Sequence, residues 1–209
     1  MREYDLYLFD FDNTLFDTRM GINEILKHAL PAVGVHYDES MFSETVGMSM
    51  DQVFAKFVSD QSKWEVFERE FMRIVNTDVY KTAVPFPETK TVLTELRARG
   101  KHVGIASGKQ RFKIEELLER DGMSDLVETV VGYFDTERHK PDPEPVNLAF
   151  SRFDVPLDRA VYVGDSPNDP AAAKAAGMDG IVVNRHNGLT PDGIECTFEI
   201  HSLSELTDW

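Results

Sequence analysis

Apolar positions along this chain change rhythm twice. Leu6 to Phe9 is a short, mostly apolar run, the pattern of a strand buried on both faces. It ends where polar groups crowd together, at Asp10-Phe11-Asp12-Asn13-Thr14. The rhythm then becomes helical. Ile22, Ile25, Leu26 and Ala29 follow the i, i+3, i+4, i+7 stripe, with Pro31 and Gly34 as its stops. Met50, Val53, Phe54 and Phe57 form a second stripe, and Trp64, Phe67, Phe71, Ile74 and Val75 a third. From about Thr18 to Thr82 the pattern predicts helices and no strand.

After Pro85-Phe86-Pro87 the two rhythms alternate. A helix is expected from about Glu88 to Arg99, stopped by Gly100. Strand His102–Ala106 follows, then a helix from about Gln110 to Arg120 ending at Gly122, and a weaker strand at Glu128–Val131. Pro143–Phe153 reads as helix, Ala160–Val163 as strand, Ala171–Ala176 as helix with Gly177 as its stop, and Gly180–Val183 and Phe198–Ile200 as strands. Such alternation predicts an α/β fold, a Rossmann-like parallel sheet with helices on both faces. The all-helical segment interrupts it. Residues 1–16 and 85–209 are therefore expected to form the α/β core, with 17–84 inserted as a helical cap domain.

Composition narrows the partners. The 209 residues carry a formal net charge of -15. That balance argues against nucleic acid and anionic membrane, both polyanions. It also means that a site for an anionic substrate must bring its own positive charge, and a divalent metal is the simplest source. The single cysteine, Cys196, excludes a disulfide within the chain and fits a cytoplasmic setting; it reads as a small strand residue. The first residues lack the long apolar stretch of a signal peptide, and no run of about 18 apolar residues is present to span a membrane. A monomer or a homodimer is expected.

Ligands of open α/β sheets bind beyond the carboxyl ends of the strands, and the polar clusters fall there. Asp10 and Asp12 follow the first strand, and Ser107-Gly108-Lys109 the second. Lys140 lies in His139-Lys140-Pro141-Asp142-Pro143, and Asp165 and Asp169 follow the fourth strand. Phosphate ester hydrolysis needs these parts. Its uncatalysed rate is so low that enzymes accelerate it by up to about 10²¹-fold. A carboxylate nucleophile splits the reaction into two steps. A hard divalent cation offsets the repulsion between that carboxylate and the phosphate. One further carboxyl group serves the leaving alcohol as acid and then water as base. A hydroxyl and an ammonium hold the phosphoryl oxygens. Singly, each residue also has an ordinary reading: a surface carboxylate, an N-cap serine, a solvated lysine, a Gly-Asp turn. The ordered set, each member after its own strand, is far more specific than any part.

In that set the sequence resembles the haloacid dehalogenase superfamily, in the subgroup with a helical cap after the first strand that includes phosphoglycolate phosphatases. Asp10-Phe11-Asp12-Asn13-Thr14-Leu15 is similar to its first motif, D-x-D-x-T-[LV], Ser107 to the second, Lys140-Pro141 to the third, and Gly164-Asp165 with Asp169 to the fourth. The resemblance covers essentially the whole chain. It implies that Asp10 is nucleophile and metal ligand, and that Asp12 is acid/base with its backbone carbonyl on Mg²⁺. It implies that Thr14, Ser107 and Gly108 bind the phosphoryl group, that Lys140 neutralises the nucleophile and the phosphate, and that Asp165 is a ligand. Asp169 is then a ligand, reaches the metal through water, or positions Lys140. Asn13 stands where glycine is commoner, and asparagine tolerates positive φ.

Within the family, an acid at Asp12 points to phosphate esters, since dehalogenases lack it and phosphonatases carry alanine there. Sugar phosphomutases have a histidine where this chain has Ile22, which disfavours a mutase. The expected substrate is a small phosphorylated metabolite, with a nucleoside monophosphate as alternative. Thr45-Val46-Gly47-Met48-Ser49-Met50 resembles the cap loop that faces the site in phosphoglycolate phosphatases. Arg19, Lys56 and Lys81 are candidates to meet a second anionic group, or else solvated helix charges. A phospho-accepting signalling domain would share the aspartate, hydroxyl and lysine, but lacks both the cap and an acid at Asp12.

Overall fold

The computed structural model describes residues 3–45, 48–185 and 194–207. In chain order, strand β1 is Leu6–Phe9 and β2 is Phe16–Asp17. Helices α1 Arg19–Ala32, α2 Ser40–Ser43, α3 Met50–Phe57 and α4 Trp64–Val75 follow. Then come β3 Val84–Pro85, α5 Thr89–Ala98, β4 His102–Ala106, α6 Arg111–Arg120 and β5 Thr129–Val131. The chain continues through α7 Glu144–Phe150, β6 Ala160–Gly164, α8 Asn168–Ala175, β7 Asp179–Val183 and β8 Phe198–Ile200. Two compact units result, one of Met1–Asp17 with Pro85–Trp209, the other of Thr18–Val84.

The first unit is a six-stranded sheet in the order β5-β4-β1-β6-β7-β8. Its strands run parallel. β1 lies inside the sheet and is fully buried, so an apolar run with no alternation was the pattern to expect. Leu6 and Leu8 pack on one face against Val146 and Ala149 of α7 and Ala172 and Ala173 of α8. Tyr7 and Phe9 point the opposite way by strand alternation, toward the layer that α5 and α6 supply. Pairing places Phe9 level with Ile105 on one side and Val163 on the other. The ends of the three central strands therefore share one row.

The second unit is helical. Leu26, Ala29 and Leu30 of α1 pack with Val53 and Phe54 of α3 and Phe67 of α4. Phe54 meets Trp64 edge-on at 5.1 Å and Phe67 at 5.2 Å, the aromatic stripes forming core.

Several boundaries differ from expectation. Pro31 lies inside α1, which ends one residue later; the chain then turns at Gly34, φ 81°. α7 stops at Phe150, three residues early, because Arg152 and Phe153 close tighter turns onto Ala149 and Phe150. α8 begins three residues early, at Asn168, because a proline in the first helical turn has no intrahelical N–H bond to lose. The two-residue strands β2 and β3, which pair with each other, are too short to show a period. Cys196 sits ahead of β8 rather than in it.

Candidate active site

The site forms where β1, β4 and β6 end. Asp10 follows β1 directly, and its backbone N–H donates to Val163 of β6. The chain then folds tightly back: Leu15 and Phe16 N–H both donate to the Phe11 carbonyl, and Asn13 N–H to that of Phe16. Asn13 takes the left-handed conformation, φ 57°, that this turn requires. Thr14 Oγ1 thereby reaches Asp165 Oδ1 at 3.2 Å, across 151 residues of sequence. Arg185 secures the turn from behind, donating to the Thr14 carbonyl at 2.8 Å with its guanidinium over the Phe86 ring.

Lys140 is the centre of the polar network. Its Nζ donates to Asp10 Oδ1 at 2.8 Å, Asp169 Oδ1 at 2.6 Å and the Tyr162 hydroxyl at 2.9 Å. All three ammonium protons are thus used. Tyr162 in turn donates to the Ala106 carbonyl. Asp169, fully buried, turns its other oxygen to Ser166, accepting from the backbone N–H at 2.9 Å and the hydroxyl at 2.7 Å. Gly164 makes this possible, since a Cβ there would lie 2.2 Å from the Asp169 carboxyl carbon.

The carboxylates of Asp10, Asp165 and Asp169 are buried and offer oxygens within 4.8 Å of one another. Burial pushes the Asp10 carboxyl up to about 6, with Lys140 opposing and Asp169 and Asp12 adding to the rise. Burial, with Asp169 and Asp10 beside it, holds Asp165 well above the usual carboxylate range. Lys140 is disfavoured as a cation by burial, yet Asp10 and Asp169 hold it well above an ordinary lysine. Fully ionised, the three carboxylates facing one ammonium would leave two negative charges in excess. A buried all-oxygen cluster with that excess fits a hard divalent cation.

The Asp12 carboxylate lies outside this cluster and pairs with Lys109 Nζ at 2.8 Å. Ser107, buried after β4, donates its N–H to Val131 and accepts the Lys109 N–H at its hydroxyl. Gly108 is exposed, with open space where a Cβ would stand.

A family described as haloacid dehalogenase-like hydrolase matches residues 7–183. The chain belongs to the haloacid dehalogenase-like hydrolases. Among similar proteins of this kind is a phosphoglycolate phosphatase of Rhodospirillum rubrum, 30% identical over 97% of this chain and 89% of the relative. A pyrophosphatase PpaX of Bacillus velezensis is 29% identical over 95% of this chain and 93% of its own. A solved structure from Bacteroides fragilis, described as a haloacid dehalogenase-like hydrolase, superposes with a TM-score of 0.87 at 30% identity, covering 98% of this chain and all of its own.

Every motif position of this hydrolase expected from its sequence lies in the first unit. Asp10, Lys140, Asp165, Asp169 and Thr14 meet directly, whereas Asp12 and Ser107 meet through Lys109. Four residues were not foreseen: Tyr162, Lys109, Ser166 and Arg185. Tyr162 carried a signal, since a hydroxyl in a fully buried strand must find a partner. In the helical unit, Lys56 pairs with Glu44 at 3.1 Å and Lys81 with Asp78 at 3.3 Å. Both match the ordinary reading of helix charges. Arg19 opens α1. Of the loop Thr45–Met50, Val46 and Gly47 lie outside the described residues.

Proposed function

We propose that this protein is a Mg²⁺-dependent phosphatase that hydrolyses a small phosphomonoester through an aspartyl-phosphate on Asp10. The observation that carries the reading is the buried Asp10–Lys140–Asp169 network with Asp165 beside it. Asp10, Asp165 and Asp169 would hold Mg²⁺, with the Asp12 backbone carbonyl. Bound there, the ion would offset the negative charge that these carboxyl groups carry when ionised and draw charge from the phosphoryl oxygens.

Asp10 attacks phosphorus, and the bond to the leaving oxygen breaks. Asp12 gives that oxygen its proton, then takes one from the water that attacks the aspartyl-phosphate. Lys140, held from three sides, offsets charge at the nucleophile without reorganising. Thr14, Ser107 and the Gly108 backbone steady the phosphoryl oxygens. The unit Thr18–Val84 serves as the cap that selects the substrate. No helix among the described residues is long and apolar enough to cross a membrane, and a cytoplasmic setting accords with the single cysteine.

The Rhodospirillum relative favours phosphoglycolate as substrate, and the Bacillus relative favours pyrophosphate as the second reading. Phosphate release from both, and from a panel of sugar and nucleoside monophosphates, decides between them. Asp10→Asn and chelation of Mg²⁺ should each abolish release. Turnover that persists in either case overturns the mechanism. Isomerisation of a sugar phosphate without phosphate release would replace hydrolysis by a mutase.

A further inference from the structure

Lys109 is a cation that the mechanism above leaves without a task. It follows Ser107 and Gly108 in the turn after β4, and its position is fixed from both ends. Its N–H donates to Ser107 Oγ at 3.3 Å, and its carbonyl accepts from Tyr133 N–H at 2.9 Å. Gly132 lies so close that a Cβ there would stand 2.8 Å from that carbonyl and 2.4 Å from Arg111 N. The turn therefore has one place to sit. Its side chain runs inward: only 14% of it is exposed, and Nζ stands 5.9 Å from the centroid of the buried Phe11 ring. At its end it meets Asp12 Oδ1 at 2.8 Å.

The Asp12 carboxylate is thus set by two opposed charges. Lys109 attracts it, and Asp10, whose own carboxyl feels the Asp12 charge, repels it. Lys113, almost fully buried on α6, senses the same pair. Burial and the Lys109 charge push it down, while Asp12 pulls it back up.

We propose that Lys109 is the positioning residue for Asp12, holding the acid/base carboxyl group in place for proton transfer to the leaving oxygen. This rests on the reading of Asp12 as acid/base. As the proton passes from Asp12 to the leaving oxygen, the carboxyl becomes an anion. A fixed ammonium at 2.8 Å restrains the carboxyl group in one orientation throughout that transfer. Lys109 keeps its own protons throughout. The contribution scales with how much the leaving group needs a proton. An alkoxide needs one, and a p-nitrophenolate does not.

The test compares kcat/KM, which reports the first chemical step, for p-nitrophenyl phosphate and for the phosphate monoester of an uncharged primary alcohol, with Mg²⁺ present. Asp12→Asn should cost at least about 10²-fold on the alkyl ester and only a few-fold on the aryl ester, the scale of general acid catalysis. Lys109→Met should show the same selectivity, about 10-fold on the alkyl ester and within about threefold on the aryl ester, as loss of positioning alone. Lys109→Arg should restore most of the alkyl activity. Added to Asp12→Asn, Lys109→Met should cost nothing further on the alkyl ester. The aryl ester is the folding control. Equal losses on both esters would make Lys109 a phosphate-binding or structural residue and overturn the proposal. So would no loss on either, while Asp12→Asn stayed selective. If Asp12→Asn is itself unselective, the acid/base reading fails first.

Discussion

Adding one methyl group at Gly164 tests the geometry of the site most directly. The new Cβ would lie 2.2 Å from the Asp169 carboxyl carbon, 2.4 Å from its Cβ and 2.5 Å from Oδ2, where ordinary contact begins at 3.4 Å. Asp169 must retreat by more than 1 Å. It is fully buried and makes three hydrogen bonds, two from Ser166 and one from Lys140. Overpacking alone costs about 1–3 kcal/mol, and loosening a charged hydrogen bond costs about 1.5–3 kcal/mol more. A loss of about 3 kcal/mol lowers Tm by about 6–12 °C for a chain of this size. Lys140 would move with its partner, and a displacement of this order costs about 10²-fold in turnover. Thermal unfolding followed by circular dichroism reads the first effect, and phosphate release in the folded range reads the second. A Gly164→Ala protein with unchanged Tm and unchanged kcat would refute the placement of Asp169.

Three further outcomes follow from other parts of the structure. Tyr162→Phe removes one acceptor of Lys140 and the bond to Ala106; kcat should fall about 10-fold with KM little changed, as expected when a positioned group loosens. Mg²⁺ at a hundred times its Kd should stabilise the protein by about 2.7 kcal/mol in thermal melts, and Asp165→Asn should abolish that gain. Asp5, remote from the site, is held down at about 2 by the Arg159 guanidinium and by Lys101, against its own desolvation. Its folded value lies below its unfolded one, so its stabilisation is present above about pH 4 and is lost as pH falls toward 2. Urea midpoints of wild type and Asp5→Asn should therefore converge between pH 4 and 2; a constant gap would refute the pairing.

The legibility of this chain follows the physics of each element. Strands of a parallel sheet are buried on both faces, so Leu6–Phe9 and His102–Ala106 announced themselves as apolar runs. Helix ends were marked by glycines that adopt left-handed φ, at Gly100 and Gly122. β2 and β3 were invisible because two residues carry no period. The carboxylates were visible because Asp10 and Asp165 each follow a strand directly, with Asp12 and Asp169 a few residues on. Tyr162 and Lys109 were not singled out, because their partners come from other strands. Sheet order, which local pattern does not encode, brings them together.

The level row of Phe9, Ile105 and Val163 has a consequence for how this protein changes over time. The spacing of Asp10, Ser107 and Asp165 is inherited from backbone pairing and not from loop conformation. Lengthening a loop or exchanging the inserted helices leaves that spacing alone. Removing one residue from β6 would reverse the facing of Asp165 and draw it back by about 3.3 Å. The insertion is thus free to drift in sequence, while the spacing of these residues tolerates almost no insertion or deletion within β1, β4 or β6.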